Sequence, residues 1–307
     1  MGKPVIAVTG SEGFIGSNLT RFLRESGFTV WTLDREGEAN YRGDLRDINA
    51  WPPLQGVQAL VHCAGSSSVH VSDTEEFEVS QNNVSLAHNA LHACYNSGVP
   101  ILINLSSSAV YGNNPVPFKY DEIAPLGVYG QSKWEAECKL TDLAQACKIK
   151  VLTLRLFDVI GEGQRKNTLP WEICEAFHER QAVTLHGHRR VCWTAVNDVV
   201  RAITYAILKE DELPEDHTVL NYGTETPMSQ VDLFLKFEAL LSGWKVPYVM
   251  GEPNADEAVT TQPDMTQAKK FFPQQLIPSM SGVDRAVRDV LFTSFQERGL
   301  LYGSRSS

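Results

Sequence analysis

The chain has 307 residues, of which 43% are hydrophobic and 21% charged, with a formal net charge of −10. This composition excludes wholesale disorder and suits one large α/β domain with a smaller lobe. The acidic balance speaks against non-specific nucleic-acid binding, which needs a basic surface, but leaves room for an anionic small ligand in a locally basic pocket.

Pro4–Thr9 is apolar and β-branched and stops at Gly10, the pattern of a buried parallel strand. Ser17–Ser26 has helical periodicity, carried by Leu19, Phe22 and Leu23 and closed by Gly27. Phe28–Leu33 and Ala59–Cys63 read as further buried strands, and Asn82–Asn96 as a helix capped by Gly98. Strand Ile101–Leu105 runs into Ser106, Ser107 and Ser108. Helix Tyr129–Cys147 and strand Val151–Phe157 follow. Beyond Gly161 come a polar loop (Glu162–Asn167), helix Trp171–Arg180, a His/Arg-rich stretch, helix Asn197–Leu208 and strand Thr218–Asn221. Strands alternate with helices at βαβ spacing, which predicts an α/β fold with a doubly wound parallel sheet. The last part of the chain has scattered Pro and Gly and reads as a smaller α/β lobe covering the C-terminal ends of the strands, where such sheets bind ligands.

Gly10, Gly13 and Gly16 lie between the first strand and the first helix. In that context Gly10 permits the tight turn, Gly13 lets backbone N–H groups approach a pyrophosphate, and Gly16 lets the helix pack close to the strand. Asp34 ends the second strand, where a carboxylate accepts from adenosine ribose hydroxyls and repels a 2′-phosphate. NAD is therefore favoured over NADP, although the adjacent Arg35 could pair with such a phosphate. Asp44 and Leu45 fall where the adenine edge would lie, in a segment that also reads as a polar turn.

Tyr129 and Lys133 are four apart at the start of a helix and share a face. A phenol is a poor base at neutral pH, but a neighbouring ammonium and a cationic nicotinamide both favour its anion. Alone the pair is also compatible with helix packing. Together with a hydroxyl of Ser106 or Ser107 at the end of the preceding strand, it predicts acid–base chemistry on a substrate oxygen. None of the six cysteines, at 63, 94, 138, 147, 174 and 192, forms a C-x-x-C pair, so they read as small buried hydrophobes of a reducing compartment. His186, His188, Arg189 and Arg190 fit either an anion site or a solvated loop, and no metal site is indicated. The N-terminus enters a strand directly and no apolar run could span a bilayer, so a cytoplasmic protein without membrane contact is expected.

With Asp34, the segments Thr9–Gly16, Gly43–Leu45, His62–Gly65, Asn82–Val84, Ser106–Gly112, Tyr129–Lys133, Leu154–Phe157, Val196–Ala202 and Leu220–Gly223 resemble the extended short-chain dehydrogenase/reductases. That group contains nucleotide-sugar epimerases, dehydratases and reductases. The resemblance implies a Rossmann-type NAD(P) domain over 1–163 and about 192–223. A substrate lobe then covers about 164–191 and 224–307. It implies Ser107, Tyr129 and Lys133 as the catalytic residues, with Lys133 also on the nicotinamide ribose. It further implies Phe14, Ile15, Cys63, Ala64, Gly65, Asn82 and Phe157 along the cofactor, and a homodimer built on the Asn82–Asn96 and Tyr129–Cys147 helices.

Dehydratases of this group carry an acid just after the catalytic Ser/Thr, whereas this chain has Ser108 and Ala109. The resemblance thus implies an epimerase or a 4-keto reductase. Asn167 and Thr168 resemble the loop that meets the nucleotide. Asp158 stands where the group has an Asn on the diphosphate, and Val191 where it has an Arg, with Arg189 and Arg190 adjacent. Those two departures keep open a ketoreductase or alcohol dehydrogenase acting on a non-nucleotide substrate. A catalytically silent dinucleotide sensor is the remaining alternative, and the retained Ser107, Tyr129 and Lys133 speak against it.

Overall fold

A computed structural model describes residues 4–66, 73–186, 188–213, 216–241, 243–252 and 258–298. The apolar, β-branched runs form one sheet of seven strands: β1 (Val5–Thr9), β2 (Thr29–Asp34), β3 (Tyr41–Arg42), β4 (Ala59–His62), β5 (Ile101–Ser107), β6 (Lys150–Leu156) and β7 (His217–Tyr222). Their order is β7-β6-β5-β4-β1-β2-β3, and every neighbouring pair is parallel. The order reverses beside β1, which opens a crevice at the carboxyl ends of β1 and β4.

Among the described residues, eight helices surround and extend this sheet: α1 (Phe14–Glu25), α2 (Asp73–Ser97), α3 (Gly127–Cys147), α4 (Leu169–Glu179), α5 (Val196–Leu208), α6 (Gln230–Leu240), α7 (Thr266–Phe271) and α8 (Met280–Glu297). Side chains alternate across each strand. Ile6 and Val8 of β1 pack with Leu19 and Leu23 of α1 and Val199 of α5. Ala7, between them, faces Ala90 and Leu91 of α2 and Leu140 of α3 on the other side. The lobe at the strand ends has its own core, in which α4, α6 and α8 contribute Phe177, Phe234, Phe237 and Val287. The rings of Phe177 and Phe234 lie 5.5 Å apart. Short pairings stitch that lobe together. Val183–Leu185 runs parallel to Tyr248–Met250, and Arg190–Val191 runs antiparallel to Met228–Ser229.

The expected elements of the sheet half are all present, with shifted ends. Helix α1 starts at Phe14 rather than Ser17, because Gly13 caps it without a side chain that periodicity would register. Helix α2 begins at Asp73, well before Asn82. Helices α6 and α8 had no counterpart in the sequence reading. The first opens on a capping box between Ser229 and Asp232, and the second on Ser279, whose hydroxyl accepts from the Gly282 N–H. Residues 299–307 of the expected lobe lie outside the described residues. No described helix is long and apolar enough to cross a membrane.

Candidate active site

The crevice continues into a cleft of about 810 Å³ between the sheet and the smaller lobe. Its floor is the turn from β1 into α1. Gly10 has φ +64°, and a side chain there would stand 2.6 Å from the Ala64 backbone nitrogen. A Cβ on Gly16 would lie 2.0 Å from the Gly10 carbonyl oxygen. Helix α1 therefore sits against the turn as only glycine allows, and its first N–H groups have no side-chain cap. Such an open helix N-terminus is an anion site. This bare backbone cradle at a helix mouth fits a dinucleotide pyrophosphate.

Asp34 is tied to the same turn. Its carboxylate accepts from the Glu12 N–H at 2.9 Å and from the Arg35 N–H at 2.7 Å. The Arg35 side chain reaches Glu36 at 3.3 Å, and both are largely exposed. Asp44 binds the Arg46 guanidinium, which holds its carboxyl below the usual range, and Arg46 donates to Asn82 at 3.1 Å. Leu45 is buried in the core facing α2 and α3, its carbonyl accepting from Asn89. Two neighbouring groups are chemically quiet. Burial pushes the Cys63 thiol up to about 12 and the His62 imidazole down to about 3. His62 is a neutral partner of the Thr9 hydroxyl at 2.8 Å.

The opposite wall comes from β5 and α3. Ser107 caps the single turn Ser108–Tyr111, its hydroxyl accepting from the Ala109 N–H. Lys133 donates to the Leu105 carbonyl at 3.1 Å, and its Nζ stands 5.9 Å from the Tyr129 ring centre. Gly130 lets α3 approach this turn, since a Cβ there would be 2.6 Å from the Ala109 carbonyl oxygen. Asn83 of α2 joins the pieces. It accepts from the Ser66 N–H at 2.8 Å and donates to Ser132 at 2.9 Å, and Ser132 donates to the Tyr129 carbonyl.

Behind the wall lies a buried polar network. Arg155 of β6 pairs with Glu137 of α3 at 2.6 Å, and Ser106 donates to the same carboxylate. Arg155 also donates to the Tyr111 hydroxyl at 2.7 Å, which in turn donates to Asn221. Burial pushes the Tyr111 phenol up to about 12. Tyr111 is therefore structural, and Tyr129, half-buried on the cleft wall, is the phenol open to a substrate.

At the far end, Asp158 and Arg189 face each other at 3.5 Å. Asn167 and Thr168 lead into α4 beside Arg165. Trp193, His186 and His188 complete that end. The cleft wall thus gathers Gly10, Gly13, Phe14, Ile15, Gly16, Cys63, Gly65, Ser107, Ser108, Tyr129, Lys133, Asp158, Asn167 and Thr168.

Ala64 abuts the cleft through its backbone, donating to the Thr9 hydroxyl. Asp34, Arg35, Asp44, Leu45 and Asn82 stand outside the wall. Phe157 is fully buried, in an aromatic cluster with Tyr111 and Phe118. Arg190 turns away to donate to the Pro227 carbonyl, so Arg189 is the cation that meets the cleft. The sequence alone marks neither Asn83 nor Gly130 for the site; both lie inside recognised segments, but their packing roles depend on partners in other elements.

Residues 6–223 match the model of the NAD dependent epimerase/dehydratase family. The UDP-glucose 4-epimerase of Erwinia amylovora is 27% identical over 328 residues, covering 92% of this chain and 96% of that protein. The dTDP-D-glucose 4,6-dehydratase of Mus musculus is 25% identical, covering 92% of this chain and 87% of that protein. The structure of MoeE5 in complex with UDP-glucose and NAD superposes with a TM-score of 0.85 at 27% identity, covering 97% of this chain and all of that one.

Proposed function

Because the chain belongs to the NAD dependent epimerase/dehydratase family, we propose that it is a nucleotide-sugar epimerase inverting a secondary alcohol of a UDP-hexose. One observation carries this reading: Ser107, Tyr129 and Lys133 share one wall of a cleft whose floor is the glycine turn. NAD, held by the glycine turn and the N-terminus of α1, would supply reversible hydride exchange at the carbinol carbon.

The chain's own residues handle the proton and the orientation. Tyr129 takes the hydroxyl proton as the carbon–oxygen bond becomes a carbonyl, and gives it back when the alcohol re-forms. The Ser107 hydroxyl hydrogen-bonds the same oxygen and keeps it against Tyr129. Lys133, anchored on the Leu105 carbonyl, sets its positive charge beside the phenol that carries the transient negative one. Asp34 takes the adenosine ribose hydroxyls, and the N-terminus of α1 takes the pyrophosphate. Arg165 and Arg189 meet the substrate diphosphate, with Asn167 and Thr168 alongside. Elimination lacks its proton donor, because Ser108 and Ala109 follow Ser107 and carry no carboxyl.

The same reading assigns residues 1–163 and about 192–223 to the cofactor and the rest to the sugar nucleotide. It makes the enzyme a cytoplasmic homodimer that pairs through α2 and α3. Incubation of the protein with NAD and UDP-glucose tests the activity. The expected product is UDP-galactose, with no net NADH. Stoichiometric NADH would make the protein a dehydrogenase, and failure to bind any nucleoside diphosphate would remove the substrate class.

A further inference from the structure

The substrate side of the cleft is a loop, residues 161–168, with no regular structure of its own. It nevertheless presents Gln164, Arg165, Asn167 and Thr168 to the cleft. Lys166 pairs with Glu297 of α8 at 2.8 Å, and the start of the loop is held by a clamp on α1. Arg21 grips both carboxylate oxygens of Glu162, each at 2.8 Å. The second nitrogen of that guanidinium also donates to the Asn18 side-chain oxygen at 2.9 Å. The Asn18 amide in turn donates to the Phe14 carbonyl at 2.9 Å and to the Glu162 carbonyl at 2.8 Å. Asn18 is buried, whereas Arg21 and Glu162 are about half exposed.

From Glu162 the backbone carries the restraint into the loop, which has hydrogen bonds of its own. Gly163 turns with φ +78°, and a Cβ there would lie 3.6 Å from the Asn18 amide nitrogen. The Gln164 side chain accepts from the Gly161 N–H at 3.3 Å and donates to the Thr168 hydroxyl at 3.1 Å. Thr168 in turn donates to the Arg165 carbonyl at 2.6 Å and precedes the first turn of α4. Two hydrogen-bonded sets, joined through the backbone at 162–164, thus connect Phe14, on the first turn of the glycine-loop helix, to Thr168.

We infer that Glu162 is a positioning residue, which Arg21 and Asn18 use to set the substrate loop at a fixed height above the cofactor turn. The inference rests on the nucleotide-sugar reading only for what the loop binds. Glu162 touches neither reacting group. Its carboxylate fixes Gly163–Thr168, and that loop fixes the groups that meet the diphosphate. Because the clamp springs from α1 itself, the distance between the two ligand sites is set within the protein.

The variants Glu162→Gln and Arg21→Met, studied as NAD-loaded enzyme, test this. With the ion pair half exposed, the expected rise in the Kd for UDP, by calorimetry, and in KM for the sugar nucleotide is about three- to fivefold. The kcat and the NAD affinity stay within about twofold, since the Asn18 amide keeps its bond to the Phe14 carbonyl and the glycine turn is untouched. The exchanged pair Arg21→Glu with Glu162→Arg restores the UDP affinity. A merely structural contact would lower the melting temperature, and NAD and UDP affinity would fall together; that result overturns the inference. Amide hydrogen exchange over 163–168, read without UDP, is expected to speed up in both single variants while the centre of α1 stays protected. Unchanged exchange with unchanged UDP affinity also overturns the clamp. A wild-type protein that binds no UDP, but whose variants loosen 163–168, would sink the nucleotide-sugar reading and leave the clamp standing.

Discussion

The two walls of the cleft are built by different means. The cofactor wall is backbone: Gly10 and Gly16 are required by contacts of their own main chain with Ala64 and with each other. The substrate wall is side chains, drawn from the 158–172 segment, the 184–193 stretch, the start of α6 and the segment around Val259. A wall made of backbone tolerates almost no change at a few positions. A wall made of side chains on loops can be retuned residue by residue while the fold stays the same. The Asp158–Arg189 pair is an example of such tuning, because it sets a carboxylate beside a cation that lines the cleft.

The sharpest way to break this contrast is at the reacting centre, where the two walls meet. Tyr129→Phe is expected to lower kcat by about 10²–10⁴, the usual worth of a positioned acid–base group, with NAD binding intact. Steady-state kinetics beside cofactor titration read both, and an unaltered kcat removes Tyr129 from the chemistry. On the backbone wall, Gly16→Ala forces a methyl to within 2.0 Å of the Gly10 carbonyl oxygen unless α1 moves. Denaturant unfolding should show a loss of about 1–3 kcal/mol, with NAD affinity falling more than about tenfold. Equal NAD affinity in this variant would mean that the turn yields cheaply and that the contrast is overdrawn.

Acid should act on the sheet half through buried His62 and partly buried His217. Burial lowers His62 to about 3 and His217 to about 4. The unfolded chain binds those protons near pH 6.5 and the folded one does not, so each histidine makes folding stability fall as the pH drops below 6.5. Inside that window each contributes a slope of up to about 1.4 kcal/mol per pH unit. The His217 share ends near pH 4 and the His62 share near pH 3. In His217→Gln the stability–pH curve from 6.5 to 4 should flatten by one such share. A curve parallel to the wild type would show that the folded protein protonates this ring.

Two milder substitutions sharpen the comparison. Asp34→Ala is expected to weaken NAD about tenfold and NADP far less, because only the former gains from the carboxylate. Parallel losses would move the ribose contact elsewhere. Asp158→Asn removes the competitor for Arg189 and is expected to tighten UDP about threefold. An unchanged Kd would show that a diphosphate does not meet Arg189.

The legibility of the two walls follows the same division. The strands, the glycine turn, Asp34 and the Tyr129–Lys133 pair are short-range patterns, visible because period-2 apolar runs and glycine spacing are imposed by the local backbone. Helix α6 has an equally local start in Ser229 and Asp232, but the scattered Pro and Gly around it mask its periodicity. Phe157 was expected beside the nicotinamide through resemblance alone, and it lies fully buried against Tyr111 and Phe118. Between Arg189 and Arg190 no local rule could choose. The β-pairing of Arg190–Val191 with Met228–Ser229, formed by residues far apart in the chain, turns one side chain toward the cleft and the other toward Pro227.

The amino-acid order by itself determined the α/β alternation, the glycine turn and the spacing of the candidate residues Tyr129 and Lys133, since each depends on neighbours within a turn or a strand. Only the tertiary structure decided which arginine reaches the cleft, that Tyr111 is sealed away while Tyr129 is open, and that α1 carries the substrate loop. Those outcomes depend on burial and on hydrogen bonds between segments far apart in the chain, from Arg190 with Pro227 to Tyr111 with Asn221 and Arg21 with Glu162.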